Sequence, residues 1–328
     1  MSAPSKAIRM LSVPKHAHGQ RVDRYVLSQT HMPSSLLFRH LRKKTIAEHT
    51  PSGQRRKLQG SDRVHAGMQI QLPSSLVTSQ TPPAAAVDNE HVQRFVQQTM
   101  PLLCETSGVA VFLKPGGLAC QGGTHVGVSA AGLLAQMSAE YRLVHRLDRG
   151  TTGALVVARS RAAASVLAGA FARQPGAGHP TVEKTYYAVL SGHPRQPQGT
   201  ITAALHNCGT HVRTAPVGTP AAKHAHTAYR VLRQGTWNGG PVSLVALRIA
   251  TGRKHQIRVH CASVLRCPVL GDQRYGGSKG ELFLHLHRIG VPDVDAEGGC
   301  GERPLSVVAP FPEFWKPVFC ALGVPLGK

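Results

Sequence analysis

Acidic side chains are scarce in this chain. Asp and Glu total 16 among 328 residues, against 38 Lys and Arg, so the formal charge is +22 at pH 7. The 19 histidines only add to it as pH falls. An imbalance of this size speaks about partners rather than fold, and it favours polyanions. Long apolar runs are missing too. No stretch is long enough to span a bilayer, which puts nucleic acid ahead of an anionic membrane surface. The seven cysteines, at 104, 120, 208, 261, 267, 300 and 320, form no Cys-x-x-Cys unit, and Cys261 and Cys267 have no second pair beside them. That argues against a zinc site and for free thiols in a reducing compartment. No acid precedes Asp23, whereas Lys6, Arg9, Lys15 and Arg21 do. A basic, acid-poor start of this kind resembles an organelle transit segment, so the expected location is mitochondrial, with the cytoplasm as the alternative.

The positive charge is unevenly spread. Residues 1–73 hold 13 basic and 3 acidic residues, a net of +10. Residues 74–100 are rich in Ser, Thr, Pro and Gln, a linker composition. The expected division is a basic tail over 1–15, a small α/β domain over 16–73, a linker over 74–100 and a large domain over 101–328. In the small domain Val22–Leu27 and Ser34–Lys44 read as helices, the second with Leu37 and Leu41 on one face and Arg39, Arg42 and Lys43 on the exposed side. A hairpin at Ser52-Gly53 and a strand over Met68–Leu72 follow. In the large domain Val109–Lys114, Lys184–Gly192 and Val242–Ala250 read as strands. Ser129–Glu140, the alanine-rich stretch capped by Ser160, and the residues from His255 on read as helices. Elements in this mixed order argue for an α+β fold around a central, largely antiparallel mixed sheet flanked by helices and loops.

One segment concentrates the chemistry: Leu143-Val144-His145-Arg146-Leu147-Asp148-Arg149-Gly150-Thr151-Thr152-Gly153, running into Ala154-Leu155-Val156-Val157-Ala158. It reads as strand, tight turn, strand, with Asp148 at the mouth of the turn. A carboxylate set among cations stays ionised and can act as a nucleophile. The plainer alternative is an Asp that caps backbone N–H groups. Three further segments accompany it. They are Glu183-Lys184-Thr185-Tyr186-Tyr187-Ala188; Thr251-Gly252-Arg253-Lys254-His255-Gln256-Ile257-Arg258, with Gly271-Asp272-Gln273-Arg274-Tyr275-Gly276 after it; and Leu284-His285, with Arg303-Pro304-Leu305 and Ala309-Pro310-Phe311-Pro312. In this order they closely resemble the RluA-type ribosomal RNA pseudouridine synthases, over roughly Pro101 to Lys316. Gly19–Arg24, the basic end of the second helix and Ala66–Ile70 resemble the small S-four-type RNA-binding domain, which makes the RluC-like subgroup the nearest. One departure is Ile46-Ala47-Glu48-His49, where that domain family tends to have a strand ending in Val-Asn-Gly, so a reshaped hairpin is expected.

The resemblance implies a pseudouridine synthase fold and isomerisation of uridine in structured RNA, most of all large-subunit ribosomal RNA or a ribosome precursor. It implies Asp148 as nucleophile, Tyr186 against the uracil as a candidate for proton transfer, and Arg258 as the partner of the aspartate. Arg146 would fill the gap left by an extruded nucleotide. The RNA-facing set comprises Arg146, His145, Lys114, Lys184, Arg253, Lys254, His255 and Gln256, with Arg21, Arg24, Arg39, Arg42, Lys43 and Lys44 from the small domain. Thr152 stands where Ser is usual, and Lys254 where Thr or Ser is common. Breaking the glycosidic bond, turning the ring and rejoining it through carbon 5 exchanges no electrons or groups with another molecule, so no cofactor is required. Extruding the base costs a few kcal/mol, offset by stacking and an inserted side chain. The expected protein is a monomer that meets RNA, with ribosomal proteins or assembly factors as further partners, and no membrane. Two other functions compete: a ribosome-assembly factor that keeps the fold with dispensable activity, and a DNA-binding protein, for which no recognition-helix module is evident.

Overall fold

The computed structural model describes residues 8–30, 34–50, 53–73, 89–122, 128–173, 181–209, 211–216 and 218–325. These fall into two compact units, one made of the described residues up to Pro73 and the other of those from Asn89 on.

The first unit contains β1 (Ile8–Ser12), α1 (Val22–Thr30), α2 (Ser34–Arg42), β2 (Ala47–His49), β3 (Arg55–Lys57) and β4 (Gln69–Pro73). Its sheet has the order β1-β4-β2-β3, antiparallel throughout. Val22, Tyr25 and Val26 recur at helical spacing on α1, and Leu37 and Leu41 do so on α2; all five are buried against Ile46, Ile70 and Leu72. Arg39 and Arg42 lie exposed on α2, and Lys43 lies exposed just past its end. Two boundaries differ from the sequence reading. Ile8–Ser12, assigned to the tail, is an edge strand, fastened by the Tyr25 hydroxyl donating to the Ser12 carbonyl at 2.9 Å. Asn89–Thr99, assigned to the linker, is a helix, α3, whose Val96 is buried together with Met100 just beyond it. The rest of the proposed linker, 74–88, and tail residues 1–7 lie outside the described residues.

The second unit is α+β. Along the chain come β5 (Leu102–Glu105), β6 (Val109–Lys114), α4 (Ala130–Met137), β7 (Arg142–Leu143), β8 (Thr152–Ala158), α5 (Arg161–Ala172) and β9 (Glu183–Ser191). Then follow β10 (Gln198–Ile201), β11 (Ala204–Asn207), β12 (Val212–Ala215), β13 (Thr227–Trp237) and β14 (Gly240–Ile249). α6 (Gln256–Ser263), β15 (Leu284–Val294), β16 (Cys300–Val308) and α7 (Lys316–Ala321) complete it. The main sheet runs β10-β13-β14-β9-β15-β8-β6-β5, with β16 beside β15 and β7 beside β8. Its pairings are antiparallel except β15 with β8. Ser129 and Ser160 cap α4 and α5 by accepting the Gly132 and Ala163 amides. Side chains on β9 alternate between two cores. Tyr186, Ala188 and Leu190 face a core shared with α4 and α5, whereas Tyr187 and Val189 face one closed by Trp315, Val318 and Phe319 near the carboxyl end.

Candidate active site

The Asp148 turn is held from several sides. β7 pairs with β8, Arg142 opposite Ala158, and the Thr151 N–H donates to the Asp148 carbonyl at 3.0 Å. Beneath it the Lys114 ammonium is fully buried and donates to the carbonyls of Pro115 and Leu118, both at 2.8 Å, and of Arg149 at 3.2 Å. Burial brings that ammonium down to about 8, so it stays largely charged at neutral pH. The Cys120 thiol donates to the Leu147 carbonyl at 3.3 Å and accepts the Leu147 N–H at 3.2 Å. Just past the turn Gly153 has φ +119°, and a Cβ there would collide with the Leu286 backbone. Glycine is what lets β8 lie this close to β15.

So held, the Asp148 side chain is 22% exposed, with Oδ2 3.7 Å from Arg258 Nη1 and Oδ1 4.0 Å from His255 Nε2. Arg258 is placed by α6 and by a second carboxylate. Its Nε and Nη2 donate to Asp272 Oδ2 and Oδ1 at 2.7 and 2.8 Å, leaving Nη1 for Asp148. Asp272 Oδ1 also accepts the amides of Arg274 and Tyr275 at 3.0 and 3.1 Å. The fork geometry gives this pair most of the strength, and the Asp148 contact is the looser one. Tyr186 lies at the centre of the sheet, between Leu247 of β14 and Leu286 of β15. Burial pushes its phenol well up, and the charge of Asp148 adds to the effect, so it is a neutral phenol at physiological pH. Arg146, Asp148, Tyr186, Arg253, His255 and Arg258 line one cleft.

The structure turns three residues of the expected RNA-facing set inward. Lys114 is the internal clamp described above. His145 accepts the Val156 N–H at 2.8 Å through Nε2 and stacks on Phe171 at 4.5 Å, and burial holds it down to about 3. Gln256 is 3% exposed and spends its amide on Thr251, Arg253, His226 and Thr227. Lys184 is partly buried, its ammonium 5.7 Å from the centre of the Phe171 ring. Lys254 reaches the Gly209 carbonyl at 3.5 Å. In the first unit Arg21 is engaged by Asp23 at 2.8 and 3.1 Å, while Arg24, Arg39, Arg42, Lys43 and Lys44 are exposed. Sequence reasoning assigned no role to Asp272, Tyr275 or Cys120. The first two stood inside a quoted motif, but only the fold pairs them with Arg258 and His255.

Known proteins resemble this chain in sequence and in fold. Residues 108–263 match a family model described as RNA pseudouridylate synthase. Over 282 residues the chain is 33% identical to RNA pseudouridine synthase 4, mitochondrial, of Arabidopsis thaliana, a stretch that takes up 77% of this chain and 56% of that relative. The chain thus spans little more than half of that relative's length. It is 26% identical over 318 residues to ribosomal large subunit pseudouridine synthase C of Vibrio cholerae, covering 92% of this chain and 93% of the relative. Among solved structures, human RNA pseudouridylate synthase domain containing 4 superposes with a TM-score of 0.60 at 22% identity, over 74% of this chain and 100% of the other, a likeness of fold.

Proposed function

We propose, from the match of residues 108–263 to the RNA pseudouridylate synthase family and the likeness to its members, that this chain belongs to that family and isomerises uridine to pseudouridine in structured RNA, with Asp148, Tyr186 and Arg258 as the catalytic residues. The observation that carries the reading is the Asp148 carboxylate, opening into the cleft between Arg258 at 3.7 Å and His255 at 4.0 Å, with Tyr186 lining the same cleft. The reaction breaks the bond from C1′ to N1, forms one from C1′ to C5, moves a proton off C5 and returns one to N1. Asp148 assists detachment of the base, either by attack on the sugar or by an elimination, with the Arg258 guanidinium beside it at 3.7 Å. Tyr186 stacks below the uracil. As a neutral phenol it takes part in the C5 proton transfer through a hydrogen-bonded water rather than as a phenolate. Arg146, exposed at the rim, fills the space vacated by the flipped nucleotide.

The substrate we infer is large-subunit ribosomal RNA, in line with the printed name of the Vibrio relative. The first unit acts as an S-four-like RNA clamp through Arg39, Arg42, Lys43 and Lys44, and the protein works as a monomer. A mitochondrial location is supported by the Arabidopsis relative's name. Replacing Asp148→Asn and mapping pseudouridine across the cell's ribosomal RNA tests the proposal. The expected result is loss of at least one site with RNA binding retained. Persistence of every site while ribosomes still assemble would leave only an assembly role.

A further inference from the structure

We propose that His255 is a second hydrogen-bond donor to Asp148, uncharged and locked in its Nε2–H tautomer by the hydroxyl of Tyr275. The role rests on the functional reading above, since it concerns the same carboxylate.

The hydrogen-bond inventory around Tyr275 carries the argument. Its oxygen accepts the backbone N–H of Val212 at 3.2 Å and lies 2.7 Å from His255 Nδ1. Two arrangements are open. Either Tyr275 donates to a bare Nδ1 and the ring proton sits on Nε2, or Nδ1–H donates to Tyr275 and the Nε2 lone pair faces outward. The second leaves the phenolic proton without an acceptor among the described residues. It also aims a lone pair at the Asp148 carboxylate 4.0 Å away, which is repulsive. The first satisfies every group and turns an N–H toward the carboxylate. Burial holds the imidazole down to about 4, against the pull of Asp148, so charge does not replace tautomer choice.

The backbone is committed to this placement. His255 precedes α6 with φ 55° and ψ 21°, a left-handed conformation uncommon for a non-glycine residue. The same turn that supplies Tyr275 supplies Asp272, so one short segment orients both groups that face Asp148: Arg258 through its guanidinium and His255 through its ring. At 4.0 Å, Nε2 stands about 1 Å beyond hydrogen-bond reach, a gap of the kind that closes when a substrate settles. An uncharged donor orients the Oδ1 lone pairs without adding a second full positive charge.

Nitrogen-15 NMR on the full-length protein at neutral pH reads the tautomer directly, with a His255→Gln spectrum identifying the ring by difference. The expected signature is a protonated Nε2 and a bare Nδ1. Tyr275→Phe keeps the ring over Arg258 and deletes only the hydroxyl. It is expected to blur the tautomer and to slow single-turnover pseudouridine formation about tenfold, with RNA affinity within about twofold of wild type. A wild-type ring protonated at Nδ1, or charged, overturns the proposal. So does a Tyr275→Phe protein whose imidazole signals and turnover both match wild type. Should the wild-type protein form no pseudouridine in any RNA, the functional reading falls, while the NMR result still decides the tautomer.

Discussion

Arg258 stands between two carboxylates and divides itself unequally between them. Burial alone would push the Asp272 carboxyl up; the guanidinium at 2.7 Å and the amides of Tyr275 and Arg274 outweigh that and hold it below the usual carboxylate range. Asp272 is therefore a stabilising group above its unfolded value of ~3.9, and that contribution is lost as pH falls through the lower, folded value. Replacing Asp272→Asn leaves Arg258 largely buried with only the looser Asp148 contact for its charge. The expected cost is about 3 kcal/mol in urea unfolding at neutral pH, shrinking toward acid as wild-type Asp272 itself protonates. A variant as stable as wild type at neutral pH would show that Arg258 is held by something else. The sequence made Asp148, Tyr186 and Arg258 legible because each sits in a motif with few alternatives. It hid Asp272's role because its partner lies 14 residues away, across a turn and a helix. Lys114 was misread for the opposite reason. A lysine beside a turn reads as exposed, and only three converging carbonyls make a buried ammonium tenable.

At the scale of elements, the site depends on how α6 is moored. The helix is only eight residues long, too short to be stable by itself. Gln256 ties its first turn down: Oε1 accepts from Thr251 and the Arg253 N–H, and Nε2 donates to His226 and Thr227. One turn on, His260 bonds Thr227 Oγ1 at 2.9 Å and the Ala203 carbonyl at 3.0 Å. Thr227 begins β13, so two side chains on one face of α6 hold it to the sheet. Gln256→Ala should lower stability by about 2 kcal/mol, because partners on both sides lose their bonds at a buried position, and should lower turnover by displacing Arg258. Thermal unfolding alongside an activity assay checks both; retention of wild-type values for each would mean the mooring lies elsewhere. Local chemistry foretold the helices well, Ser160 and its alanine-rich run above all. It missed Asn89–Thr99 because polar composition masked its buried Val96, and Ile8–Ser12 because a short run in a basic, acid-poor start shows nothing of its strand partner. The ten-stranded order of the sheet was not legible, since register comes from pairings up to 133 residues apart, such as His285 with Thr152.

For the molecule as a whole, charge is the property the composition stated outright and the fold distributes. Of the net +22, +10 belongs to residues 1–73, whose exposed cations at the end of α2 meet no carboxylate among the described residues. The candidate cleft, by contrast, spends two of its cations internally, Arg258 on Asp272 and Arg253 on the His224 carbonyl. On the function proposed above, binding strength and bond-making are separable: the first unit would supply long-range, salt-sensitive attraction, and the second a few fixed contacts around one carboxylate. Replacing Arg39, Arg42, Lys43 and Lys44 together with Gln removes the four phosphate partners proposed above from an exposed surface, with little packing to lose. Each phosphate contact releases a condensed counterion, so the slope of log affinity against log salt should flatten by about 3. Affinity should fall most at low salt and converge with wild type as salt rises. Filter binding to a structured ribosomal RNA fragment across a salt series measures this, and a quadruple variant with the wild-type slope would place the RNA on some other surface.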